Sequence, residues 1–164
     1  MECCTINLFC LNGYNGEKIS FELNEVIGFP NNTSIEGGYD IICTLIIDSG
    51  CYHIEHDRLY SATGALYRFS KELHTCYSNL FGSAEYHLLY ESDLTFKVEM
   101  TSGGHAIVTG AFQERPDKHY ILQFEFDTDQ SCLLSVIQDI EGLKLKYGDM
   151  EGSVSYTHLR AHET

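Results

Sequence analysis

The sequence predicts an α+β fold, an antiparallel sheet of about seven or eight strands with two helices packed mainly on one face. Three observations lead there. The stretch from Glu85 to Gln130 reads as four alternating runs joined by short turns and running straight into a helix. Two segments, one from Ser61 and one from Asp127, switch from a period of two to helical spacing. Tyr39–Asp48 is apolar at nearly every position, the pattern of a strand covered on both faces.

Taken in order, Thr5–Leu11 and Lys18–Asn24 are short apolar-polar runs joined by Asn12-Gly13-Tyr14-Asn15-Gly16, a hairpin signal. Phe29-Pro30-Asn31-Asn32-Thr33 reads as a loop. Tyr39–Asp48 is the central strand, and Ser49-Gly50 turns it into Cys51–His56. From Ser61 to Leu80, Leu66, Phe69, Leu73, either Cys76 or Tyr77, and Leu80 mark one face of a helix, with Gly82 as its expected C-terminal cap. Arg68, Lys71 and Glu72 fall on the solvent side. Ala84, Tyr86, Leu88 and Tyr90 then alternate, as do Leu94, Phe96, Val98 and Met100. Ser102-Gly103-Gly104 folds the chain back into His105–Gln113, and Arg115-Pro116-Asp117 turns it into Lys118–Asp127. There Tyr120, Leu122, Phe124 and Phe126 share a side. Asp127-Thr128-Asp129 offers cap oxygens to a second helix with Leu133, Leu134, Ile137, Ile140 and Leu143 on its buried face, and Gly148 as its stop.

The chain of 164 residues fits a single domain over residues 1–153. No internal repeat is visible in the residues. The last stretch, Val154–Thr164, resembles a translated adapter from a sequencing library, and is expected to be a non-native tail outside the fold.

There are 24 acidic residues against 10 basic ones, a formal charge of −14. Such a field repels phosphate backbones and anionic lipid and attracts basic partners. Nucleic acid and membrane surfaces are therefore not expected partners. Met1–Thr5 shows no signal-peptide pattern, and no apolar run approaches the roughly 18 residues of a membrane span. The seven cysteines are odd in number and form no C-x-x-C, which fits reduced thiols and a cytoplasmic location.

Candidate chemistry is sparse. Cys51, His53 and Glu55 alternate on one strand, but a zinc site lacks a clear fourth ligand. His53 and His56, three apart, point to opposite faces of a strand. His105 follows a hairpin turn with no evident partner, and His74 and His87 read as half-buried packing residues. G-x-S-x-G is absent, and Gly37-Gly38 lacks the Lys and Ser/Thr of a phosphate loop. Asp127 and Asp129 are read as helix-start residues rather than an acid-base pair. No catalytic, cofactor-binding or metal-ligating residue is assigned. One arrangement stands out. If Tyr86, Phe96 and Phe124 face the helices, then Glu85, Glu99 and Glu125, with Lys97, share the opposite face of the sheet. These three carboxylates are the candidate partner-binding set, and an ordinary solvated sheet face accounts for the same alternation.

Gly37-Gly38-Tyr39-Asp40, Leu80-Phe81-Gly82-Ser83-Ala84, Gly104-His105 through Gly110, and Leu122–Gln130 occur in an order and spacing that resembles the WapI-like family of bacterial immunity proteins. The resemblance covers roughly Ile19 to Tyr147. It implies a small cytoplasmic protein, encoded beside a contact-dependent or secreted toxin, that binds and neutralises that toxin without cofactor or catalysis. Many such toxins are basic nucleases, which suits an acidic chain. Two other classes remain open on the residues alone. One is a small-ligand-binding protein or enzyme with a pocket between sheet and helices. The other is a structural partner that uses an open sheet edge.

Overall fold

The computed structural model describes residues 6–149, so the N-terminal Cys3 and Cys4 and the expected tail Val154–Thr164 lie outside the described residues. Among those described, the chain runs β1 (Ile6–Asn12), β2 (Lys18–Ile27), β3 (Asp40–Ser49), β4 (Tyr52–Ala62), α1 (Thr63–Asn79), β5 (Ser83–Leu89), β6 (Asp93–Met100), β7 (His105–Gln113), β8 (Ile121–Asp129) and α2 (Gln130–Tyr147). This is an α+β fold with antiparallel strands throughout. The strands divide into two four-stranded sheets, β1-β2-β3-β4 (sheet A) and β5-β6-β7-β8 (sheet B).

The division has a local cause. Helix α1 follows β4 without a loop and then lies along β5. Glu72 Oε1 on α1 accepts the backbone N–H of Glu85 at 3.0 Å, so the helix occupies the β5 edge that β4 would otherwise pair with. Period-two alternation tells which side chains turn inward, and is silent on which strand is the neighbour.

Both sheets and both helices contribute to a continuous hydrophobic cluster. At its centre Phe9 (β1), Phe21 (β2), Phe69 (α1), Tyr86 (β5) and Phe96 (β6) meet ring to ring. Phe9 and Phe21 are 4.7 Å apart, Phe21 and Tyr86 5.5 Å, Phe69 and Phe96 5.1 Å, and Tyr86 stacks on Phe96 at 5.2 Å. Such pairs contribute roughly 0.5–1.5 kcal/mol each beyond the area they bury. The continuous apolar run in β3 sits between β2 and β4, with Ile41, Cys43, Leu45 and Ile47 turned to this core. On its other face Ile42 and Thr44 are also buried, and Asn24 Nδ2 donates to Thr44 Oγ1 at 3.0 Å.

The order of elements repeats: four strands and a helix, twice. Each helix starts against the Gly-Gly turn of its own half. Gly64 N–H donates to Gly37 O at 3.1 Å, and Gln130 N–H donates to Gly104 O at 2.9 Å. Gly64 is required there, because a Cβ would lie 2.6 Å from the Gly37 carbonyl carbon. The repeat is one of topology, and the residues filling equivalent positions differ.

Helix ends follow the expected chemistry in one case and depart from it in the other. Asp129 caps α2 as its extended N-cap residue. The expected C-terminal cap of α1, Gly82, is displaced by Leu80, which takes the left-handed conformation (φ 55°) and donates its N–H to Cys76 O at 2.8 Å. A non-glycine residue there costs about 1 kcal/mol. Gly82 instead accepts the N–H of Met100 at 2.9 Å and starts the β5–β6 ladder. Strand β4 extends to Ala62, past the expected His56, and Tyr120 is exposed ahead of β8. Among the described residues no helix is long and apolar enough to cross a membrane.

Candidate functional site

The outer face of sheet B gathers charged side chains from three of its strands. The buried side of sheet B includes Ala84, Tyr86 and Leu88 on β5, Leu94, Phe96, Val98 and Met100 on β6, Ala106, Val108 and Phe112 on β7, and Phe124, Phe126 and Thr128 on β8. The period of two then sends Glu85, Lys97, Glu99, Glu125 and Asp127 outward. The register sets them in two rows across the strands. One is Glu85–Lys97–Thr109–Glu125, and the next is Glu99–Ile107–Asp127. Glu85, Glu99 and Glu125 are all exposed and share this face. They are not one contact cluster. Three strand spacings, about 14 Å, separate the strands of Glu85 and Glu125.

Lys97 stands beside them, its Nζ 4.0 Å from Glu99 Oε1, which partly offsets the charge on the β6 side. Between the two acidic flanks runs β7, whose outward Ile107, Thr109 and Ala111 are uncharged and half-buried. The face is thus a neutral strip rimmed by carboxylates, the layout of an interface with a weakly polar centre and charged edges. Asp127 and the β7 strip are absent from the candidate set drawn from sequence. The signal for Asp127 is its i+2 spacing from Glu125, obscured by its nearness to the helix start. Only Asp129 serves that start.

Of the histidines, His87 on β5 and His105 on β7 share this outer face, and His53, His56 and His74 lie away from it. His53 and Glu55 share the outer face of β4 at 3.9 Å, and His53 Nδ1 also bonds Asp48 Oδ1, while Cys51 lies in the preceding turn. His74 and His87, expected to be half-buried, are exposed, and His87 Nε2 pairs with Asp93 at 3.2 Å. Their neighbours on the inward face, Leu73 and Leu88, fill the core in their place. His105 Nδ1 bonds the Tyr14 hydroxyl at 2.7 Å, tying the β1–β2 turn to β7.

His56 lies in the order of a serine-histidine-carboxylate relay. Its Nε2 is 3.4 Å from Ser92 Oγ, and its Nδ1 is 3.3 Å from Glu114 Oε2. The proton inventory argues for a strut instead. Ser92 donates its hydroxyl to the Glu114 carbonyl at 2.7 Å, much the shorter contact, and Ser92 is only 7% exposed. A nucleophile needs its proton directed at the base and its oxygen open to substrate. The trio joins β4, the β5–β6 turn and the end of β7. Between sheet A and α2 the depression lined by Leu8, Leu23, Asp139 and Leu143 holds about 170 Å³. That is below the roughly 300 Å³ at which small-molecule pockets begin.

Comparison with known proteins adds three findings. No curated protein matches this chain. A chain of the CdiA-CT/CdiI toxin and immunity complex from Enterobacter cloacae aligns at 10% identity, over 73% of this chain and 94% of that one, with a TM-score of 0.42, too distant to bear on function. The model of the immunity protein WapI-like family matches residues 10–148, from β1 to the end of α2, and the chain belongs to that family.

Proposed function

We propose that the protein is an intracellular, cytoplasmic immunity protein that binds a basic cognate toxin domain and blocks it, using the outer face of sheet B as part of the contact. Family membership supports the immunity role and suggests a non-enzymatic one. The observation that carries the surface assignment is the pair of net-negative flanks, Glu85 and Glu99 around Lys97 on one side and Glu125 with Asp127 on the other, about the neutral strip of β7. On a chain of net charge −14 these flanks focus an attractive field on basic residues. Encounter is accelerated, and the neutral strip is left to be desolvated on docking. Nucleic acid and anionic membranes are disfavoured by the same field. Free thiols at Cys10, Cys43, Cys51, Cys76 and Cys132 fit a reducing compartment.

The test is association kinetics with the toxin domain encoded beside the gene. Replacing Glu85, Glu99 and Glu125 together by Lys is expected to slow association about tenfold or more at low salt. Raising salt should slow the wild type toward the variant, since screening reaches about 8 Å at physiological ionic strength. Equal rates for wild type and variant would remove this face from the contact while leaving the immunity role intact.

A further inference from the structure

A second surface combines apolar exposure with negative charge. Ile27 at the end of β2, Ile35 in the β2–β3 loop and Tyr90 in the β5–β6 turn are 38%, 90% and 40% exposed. With Tyr60, Glu36 and Asp40 they line a groove of about 320 Å³. The rings of Tyr60 and Tyr90 meet edge to face with centroids 6.4 Å apart, and the Tyr90 hydroxyl donates to Asp40 Oδ1 at 3.4 Å. Three separate segments build the groove, so its apolar residues are gathered by the fold and not by sequence proximity.

Its size and chemistry restrict the occupant. At the bottom of the roughly 300–1,000 Å³ range of ligand pockets, it suits a side chain or two rather than a cofactor. Aliphatic and aromatic walls accept a methylene stem, and carboxylates at the rim accept a cationic tip. Outside the groove, the Tyr60 ring already meets a guanidinium of its own strand. Arg58 lies with Cζ 5.7 Å from its ring centroid and donates to its hydroxyl at 2.8 Å. Glu36 is shared with Arg68 at 3.8 Å, which leaves Asp40 as the main charge for an incoming group. A second copy of this chain is disfavoured as occupant, because two −14 surfaces repel.

We infer that this groove is an anchor site for an arginine or lysine side chain of the partner, held by Ile27, Ile35 and Tyr90 along its stem and by Asp40 at its tip. The inference rests on the immunity reading and adds a contact distinct from the outer face of sheet B. A buried anchor governs dissociation, whereas rim charges govern association. The two surfaces therefore have different kinetic signatures.

The experiment measures both rates for the toxin domain encoded beside the gene. Ile35→Ser and the double variant Ile35→Ser/Asp40→Asn are expected to dissociate at least about tenfold faster, with association much less affected. Ile35→Leu should keep wild-type dissociation. The single variant changes a side chain that is 90% exposed, and its thermal midpoint, measured alongside, separates lost binding from lost folding. Wild-type dissociation in the double variant, alongside tight binding by the wild type, would overturn the anchor and leave the immunity reading standing. No binding by the wild type would remove both. A concentration-dependent dimer lost in the double variant would assign the groove to a second copy and overturn the inference.

Discussion

Asp129 ends β8 and starts α2 with one carboxylate. Its Oδ1 accepts the Ser131 N–H at 3.0 Å, the Cys132 N–H at 3.3 Å and the Ser131 hydroxyl at 2.6 Å. The Ser131 hydroxyl, followed by the backbone donors, holds its pKa below the ordinary carboxylate value. A depressed folded pKa stabilises above the unfolded value of about 3.9, and that contribution is lost as pH falls through the folded value. Asp129→Ala should cost about 1 kcal/mol at neutral pH. Asp129→Asn keeps a cap oxygen and removes the titration. Its stability, read from urea unfolding, should fall less steeply than wild type below pH of about 4. The three-residue stretch Asp127-Thr128-Asp129 is legible as a helix start, but the residue that caps is not. Thr128 turns inward and donates to Asn12 O at 2.7 Å, Asp127 turns out to the face of sheet B, and only Asp129 reaches the helix N–H groups. Tertiary register makes that choice.

At the scale of elements, the joint between sheets depends on a buried polar pair. Tyr86 on β5 and Ser61 at the end of β4 are both buried, and their hydroxyls bond at 2.8 Å. Burial pushes the Tyr86 hydroxyl well above its usual pKa, so it remains a neutral bonding group. Tyr86→Phe keeps the ring stacking but leaves Ser61 short of a partner, and should cost about 1–2 kcal/mol. In a domain of this size that lowers the thermal midpoint by about 2–4 °C per kcal/mol. Adding Ser61→Ala should cost little more. A double-mutant cycle with strictly additive effects would contradict this joint. This bond also shows where sequence reading stops. Tyr86 inward and Glu85 outward follow from alternation, and the helical stripe of Leu66, Phe69 and Leu73 predicts the α1 core. That Ser61 meets Tyr86, and that β4 and β5 belong to different sheets, depends on α1 taking the β5 edge. No periodicity encodes that.

For the whole molecule, charge and topology pull in compatible directions. The −14 charge is readable without structure, and so is the sharing of one face by Glu85, Glu99 and Glu125. Less accessible to sequence are the neutral β7 strip between the acidic flanks and the groove where Ile27, Ile35 and Tyr90 converge, because both are assembled from separated segments. The immunity role is tested by co-expressing this protein with the toxin domain encoded beside its gene, scored as growth. Wild-type protein is expected to restore growth, and the Glu85, Glu99 and Glu125 to Lys variant to restore it less, at equal expression. Failure of the well-folded wild type to protect, together with no measurable binding to that toxin, would contradict the account.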